Sequence, residues 1–169
     1  MLRRIALDDI EIGCEDLGPR DGRALVMLHG FTGHRDDFRD LHPELAALGR
    51  TLIPDLRGHG DARPHRPAGG YGFSPLVADL LRLLDNEGIE RCDLLGHSMG
   101  GMLALRFVLA HPQRVASLVL MNTSPDAPQA LDRAGFERAV EGARKHGMPE
   151  LQRRMEQAAR QQPTTRGAE

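Results

Sequence analysis

The sequence is poor in cysteine, with two, Cys14 and Cys92, in 169 residues. Neither stands in a CxxC pair or at metal-ligand spacing from a histidine. A disulfide scaffold and a zinc module are therefore excluded, and two free thiols in a reducing compartment are expected. Long apolar runs are missing as well. The start, MLRRIALDDIEIG, carries two arginines but no apolar stretch behind them, which speaks against a secretory signal. The run from Gly100 to Leu105 breaks at Arg106 and is too short to span a bilayer. A soluble cytoplasmic chain is expected. Neither charge is in excess: 22 Lys+Arg stand against 24 Asp+Glu, with a pI near 6.4. That removes the electrostatic case for a nucleic-acid or anionic-membrane partner. Lysine is nearly absent, since every basic residue but Lys145 is arginine. We read this as GC-rich coding and hence bacterial origin. There is no internal repeat and no G-X-Y period. A hydrophobic share of 40% with 19 glycines is that of a globular chain, not of a disordered or collagen-like one.

Near-continuous apolar runs occur at ALVML (24–28), CDLL (92–95) and VASLVLM (115–121), with a weaker one at RTLIPD (50–55). Such runs suit strands buried on both faces of a parallel sheet. Residues 2–7 and 10–17 alternate and meet at Asp8-Asp9, which predicts a hairpin. Helical patterns lie between the runs, over 35–48, 75–88 and 100–112. Pro43 complicates the first, Pro75 starts the second and Gly88 ends it, and Pro112 stops the third. Strands alternating with helices give an α/β fold, a mostly parallel sheet with flanking helices. After Asn122 the pattern changes. Two helix-like stretches, 129–146 and 149–161, carry thin apolar stripes and read as the start of a helical lid. The expected organisation is a sheet core over 1–124, a partial lid over 125–161 and a frayed tail over 162–169.

Gly96-His97-Ser98-Met99-Gly100 is a G-x-S-x-G motif. The chance number of such matches at this composition is roughly 0.05. An apolar strand runs into it and an apolar helix runs out, the context of a nucleophile elbow. Ser98 is expected at the tip of the turn with positive φ, and Gly96 and Gly100 leave room for strand and helix to meet. The turn places the serine at a helix N-terminus, where unpaired N–H groups and the helix dipole favour developing negative charge. His97 is not expected to be the base, because neighbouring strand-end side chains point opposite ways. His29-Gly30-Phe31-Thr32-Gly33 follows directly on the run 24–28, and His29 is expected to brace that loop. Asp55, Arg57 and His59 are expected to form a hydrogen-bonded loop network. His59, Asp61 and His65 match no recognised metal spacing, so no metal is expected. No cofactor is expected either.

The loop HGFTG, the segment DLRGHG (55–60) and GHSMGG (96–101), in this order and spacing, resemble the α/β-hydrolase fold family in its esterase- and lipase-like branch. The resemblance covers residues 2 to about 125. It implies Ser98 as nucleophile, with the backbone N–H groups of Phe31 and Met99 as the oxyanion hole and His29, Gly30, Gly96 and Gly100 in support. Two such donors are worth a few kcal/mol each. It implies a serine hydrolase acting on a carboxylic ester or related acyl bond of a small molecule, without a cofactor.

In that family the acid and the histidine follow the serine, after later strands. No strand-like run occurs beyond residue 121, so the final strands of the core are expected to be absent, as in a truncated chain. Asp126 is a candidate acid by position. His111 and His146 are the other histidines after Ser98. The rival readings are a non-catalytic remnant or ligand-binding half-fold, and acyltransferase, lyase or perhydrolase chemistry on the same fold. Residues 115–121, apolar and without lysine or proline, are expected to form an exposed edge through which the chain self-associates.

Overall fold

A computed structural model of the chain describes residues 1–65, 70–126, 133–147, 149–150, 153–154 and 157. It divides after Asp126 into two compact units, Met1–Asp126 and Ala127–Glu169. The first unit opens with the hairpin of β1 (Leu2–Ala6) and β2 (Ile10–Leu17), closed by the Leu7 N–H donating to Ile10 O at 2.7 Å. Four strands follow where the apolar runs lie: β3 (Leu25–Leu28), β4 (Thr51–Pro54), β6 (Cys92–His97) and β7 (Val115–Met121). Between β4 and β6 the two-residue strand β5 (Arg63–Pro64) pairs with β2. Two residues are too few for a hydrophobic period to reveal, and a proline fits only such an edge position.

The sheet order is β1-β2-β4-β3-β6-β7. β1, β2 and β4 pair antiparallel, whereas β4, β3, β6 and β7 are parallel. The chain leaves β3 for β4 on one side and later lays β6 on the other. The carboxyl ends of β3 and β6 therefore border a topological switch point, the crevice where open parallel sheets bind ligands.

The expected single helix over 35–48 is instead two pieces. Arg35–Leu41 is 3-10 and α1 covers His42–Leu48. Pro43 has no N–H to give and its ring would strike the preceding turn, so it is tolerated only in a first turn, where α1 places it. α2 (Phe73–Asn86) buries Leu76, Leu80, Leu83 and Leu84, the i, i+4, i+7, i+8 stripe of a helix on a core. It ends at Gly88, φ +65, where the Ile89 N–H reaches back to Leu84 O at 2.8 Å. α3 (Met99–Ala110) buries Leu103, Ala104 and Phe107.

Successive strand residues face opposite ways and so feed two clusters. Val26, Leu28, Leu52 and Leu94 join α2 and α3 in one, while Met27 and Ile53 meet Phe38 and Leu45 of the 35–48 segment in the other. Cys14 and Cys92 are buried free thiols, pushed up by burial to about 12 and about 11. Neither is a thiolate at neutral pH. β7 is an edge, and Val119, Leu120 and Met121 are 49, 44 and 44% exposed.

In the second unit, α4 (Arg133–His146) carries Arg144, Lys145 and His146 in its last turn, where cations complement the helix dipole. Residues 127–132, most of the expected helix over 149–161 and the tail lie outside the described residues. No helix among the described residues is long and apolar enough to cross a membrane.

One polar cluster lies inside the first unit. Arg50, just before β4, donates to Asp16 of β2 at 3.2 Å and to the Glu87 carboxylate behind α2, and Arg3 of β1 reaches both acids at 2.7 and 2.8 Å. Burial would raise both carboxyls, but the arginine hydrogen bonds outweigh it and hold them below the usual range. A carboxyl lowered in the folded state stabilises above its unfolded value, roughly pH 4, and that contribution is lost as pH falls through the folded value. Arg50→Met takes away a cation that the two buried carboxylates share and leaves them to Arg3. It is expected to cost about 1–3 kcal/mol in urea unfolding at pH 7. The deficit should shrink once pH falls below about 4 and the acids protonate.

Candidate functional site

Ser98 stands between β6 and α3 with φ 51 and ψ −116. Among the described residues only Asn122, φ 48, is another non-glycine with positive φ. Such a conformation costs roughly 1–3 kcal/mol and persists only where its surroundings enforce it. Here they do so from β7. The Ser98 N–H donates to Met121 O at 3.0 Å, and the Thr123 hydroxyl donates to Ser98 O at 2.6 Å. The Gly101 and Met102 N–H groups also reach Ser98 O, at 3.0 and 3.2 Å.

Three glycines let the backbones close. A Cβ on Gly96 would lie 2.6 Å from Gly101 Cα, and one on Gly100 would lie 2.7 Å from His29 O and overlap Leu28 O. A Cβ on Gly101 would lie 2.6 Å from Thr123 Cβ. Gly101 and Thr123 were not singled out in the sequence. The doubled glycine of GHSMGG was a signal for the first, and nothing local marked the second.

The close approach at Gly100 carries α3 onto the end of β3 and so brings Ser98 to the loop 29–33. A Cβ on Gly30 would lie 3.4 Å from Ser98 Cβ and 3.2 Å from His97 Nδ1. His97 and Ser98 therefore both approach Gly30.

His29 is fully buried. Its Nε2 accepts the Leu56 N–H at 3.0 Å, so its proton sits on Nδ1, which donates to Gly30 O at 2.8 Å. Burial lowers it to about 4, and the ring is neutral at pH 7. No peptide in the described chain is cis. With Gly30 O held by His29, the Phe31 N–H therefore points away from it. The Met99 N–H opens α3, where a helix offers it no acceptor of its own, and stands at the positive end of the helix dipole.

The DLRGHG segment is wired to this loop. Asp55 is fully buried and accepts from the Arg35 N–H at 2.9 Å, the Asp61 N–H at 2.8 Å and the Arg35 guanidinium. Gly60, φ +50, leaves it room, since a Cβ there would lie 2.5 Å from Asp55 Oδ2. Arg57 forks onto Asp79 at 2.7 and 2.8 Å and reaches Asp9 at 2.8 Å, and those hydrogen bonds raise it above its ordinary value. His59 places Nε2 2.6 Å from Phe31 O and Nδ1 3.1 Å from Arg57 O. No group of three or more His, Cys, Asp or Glu among the described residues could hold a metal.

The remaining candidates lie elsewhere. Asp126 is exposed, with its carboxylate 3.2 Å from Arg106 of α3, whose guanidinium lies 4.2 Å over the Phe73 ring. His111 caps the far end of α3. About 18 Å of helix separates it from Ser98, so it cannot take the serine's proton. His146 ends α4 in the second unit.

A family model described as alpha/beta hydrolase fold matches residues 23–168. A 2-hydroxy-6-oxo-2,4-heptadienoate hydrolase of Pseudomonas putida is 35% identical over 151 residues, 85% of this chain and 53% of its own. A 2-hydroxy-6-oxononadienedioate/2-hydroxy-6-oxononatrienedioate hydrolase of Cupriavidus pinatubonensis is 40% identical over 125 residues, 71% of this chain and 42% of its own. Among solved structures, a carboxylesterase of the thaumarchaeon Nitrososphaera gargenis superposes with TM-score 0.78 and 28% identity, covering 89% of this chain and 56% of its own. The chain thus spans about half the length of these relatives.

Two outcomes follow from the packing and from His29. Gly100→Ala, which sets a methyl against Leu28 O, is expected to cost about 1–3 kcal/mol or more in thermal unfolding. A histidine lowered in the folded state binds its proton less readily than in the unfolded chain. Stability is therefore expected to fall as pH drops from about 6.5 to about 4. His29→Asn, which keeps a donor toward Gly30 O but does not titrate, should flatten that part of the profile in urea titrations.

Proposed function

The chain belongs to the α/β-hydrolase fold family, and from that premise we propose that it carries the nucleophile and oxyanion hole of a serine hydrolase. The substrate class is a carboxylic ester, or a related acyl bond, in a small molecule. The observation that carries this reading is the strained Ser98 at the head of α3, packed against the loop 29–33 at the switch point of the sheet. The names of the relatives support it, since two are hydrolases and one structure is a carboxylesterase.

In this reading Ser98 Oγ attacks the acyl carbon. The Oγ–C bond forms as the carbonyl electron pair moves onto oxygen, and the Phe31 and Met99 N–H groups receive that oxyanion. The serine proton passes to solvent, collapse expels an alkoxide that takes a proton from solvent, and water then cleaves the acyl-serine to the acid and free Ser98. Preorganised donors of this kind are worth about 10²–10³ in rate each, because they need no reorganisation as charge develops. Serine alone is a weak nucleophile and its proton needs a base. We assign neither base nor acid to the residues around Ser98. The carboxylate of Asp126, the candidate acid, is bonded to Arg106.

Incubation with p-nitrophenyl acetate, followed by peptide mass mapping, tests the reading. The 169-residue chain is expected to take up one acetyl group, on Ser98, and Ser98→Ala none. Sustained turnover is expected to be low, because loss of any triad member leaves only about 10³–10⁴-fold over water. Acetylation that persists in Ser98→Ala overturns the assignment.

A further inference from the structure

We propose that His59 is a positioning residue for the oxyanion loop, its ring N–H fixing the peptide that follows Phe31. The proposal rests on the roles of Ser98 and Phe31 given above. A residue has two soft backbone torsions, and both are set once the peptide planes on either side of it are held. The plane before Phe31 is held at Gly30 O, which accepts His29 Nδ1–H at 2.8 Å and the Gly33 N–H at 3.1 Å. The plane after it is held at Phe31 O, which lies 2.6 Å from His59 Nε2.

A carbonyl has no proton to give, so Nε2 must carry one. His59 Nδ1 faces another carbonyl, Arg57 O, at 3.1 Å. Both ring nitrogens thus face acceptors. In the neutral ring, the shorter contact claims the single proton. His29 is of the opposite tautomer, with its proton on Nδ1, and the two rings meet edge to face with centroids 5.0 Å apart. Two imidazoles therefore grip consecutive carbonyls, Gly30 and Phe31.

The anchor of this grip is itself rigid. The His59 N–H donates to Leu56 O and the Ala62 N–H to His59 O, each at 2.9 Å. Gly58 and Gly60 on either side take φ of +84 and +50. Arg57 is clamped by Asp79 and Asp9. The Phe31 side chain is 57% exposed, so little burial helps to hold the loop tip. A misplacement of about 1 Å can cost 10²-fold in rate, and loss of one of the two grips is expected to cost about tenfold.

The first test needs no variant. Ring nitrogen NMR of the 169-residue chain near neutral pH is expected to show His59 protonated on Nε2 and His29 on Nδ1. A proton on His59 Nδ1 with a bare Nε2 overturns the proposal.

The second test is the rate at which a fluorophosphonate labels Ser98. There the Oγ–P bond forms, P–F breaks, fluoride leaves, the serine proton passes to solvent, and the phosphoryl oxygen occupies the oxyanion position. His59→Leu should label about tenfold more slowly. His59→Gln, whose amide N–H can stand where Nε2–H stands, should recover most of the rate. Equal rates for wild type and His59→Leu overturn the proposal, provided Ser98→Ala does not label. Absence of label on Ser98 in the wild type is instead a failure of the serine reading. The amide resonances of Phe31 and Thr32 then decide His59 alone: they should shift in His59→Leu, and if they stay in place His59 does not position the loop.

Discussion

The head of α3 lies so close to the end of β3 that no side chain fits between them. At Gly100 a single methyl would overlap the Leu28 carbonyl oxygen and crowd that of His29. This approach sets where the helix starts, and hence where Ser98 stands relative to the loop 29–33. It also explains the strain. A strand that must turn into a helix within one residue, while that helix leans on the neighbouring strand, forces φ 51 and ψ −116 on the residue at the corner. The compensation comes from the end of β7 and the turn after it, which bind both backbone polar groups of Ser98 through Met121 O and the Thr123 hydroxyl. The edge strand thus closes the corner at its open side.

A second level of organisation lies in the loops. The segment 29–35 has few buried side chains of its own, and its shape is set by polar bonds to residues 55–61. His29 takes the Leu56 N–H, Arg35 takes Asp55, and His59 reaches Phe31 O. Arg57 and Asp79 then tie residues 55–61 to α2. Each of these groups is buried or partly buried and has a partner, although Arg35 Nε itself makes no hydrogen bond. That matters because an unanswered buried polar group costs about 1–3 kcal/mol. Removing one member takes a partner from each group it touches.

How much of this was readable in the chain divides along the same line. The strands were readable because β3, β4, β6 and β7 are apolar runs, and the serine turn because Gly96, Ser98 and Gly100 are adjacent in sequence. The break at Pro43 was foreseeable only as a choice between kink and first turn. β5, with two residues, has no period to detect. Thr123 and Gly101 touch across a span of chain that includes all of β7, and no spacing rule connects them. The cluster of Arg3, Asp16, Arg50 and Glu87 is drawn from four separate places, each of them an ordinary surface residue when read locally. The tautomers of His29 and His59 follow only from which backbone group each nitrogen meets.

The electrostatics of these loops bear on the kind of charge the proposed site is built to receive. Arg35 is engaged by Asp55, Asp61 and Asp36, and Arg57 by Asp79 and Asp9. His29 is held neutral by burial. Under the proposed reading, what receives charge at Ser98 is a set of dipoles: the first turn of α3 and the peptide of Phe31. Dipoles fixed in a partly buried corner respond strongly to charge that appears there, yet offer much less than a free cation to an anion already carrying full hydration. Under the proposed reading, that balance favours a reactant that is neutral at the reacting carbon and becomes anionic only in the transition state. An ester carbonyl meets this requirement and a free carboxylate does not. Neutral His29 fits the same balance, since it donates to Gly30 O without adding a full positive charge beside Ser98. Such a charge would attract an anion into the corner that the developing oxyanion needs.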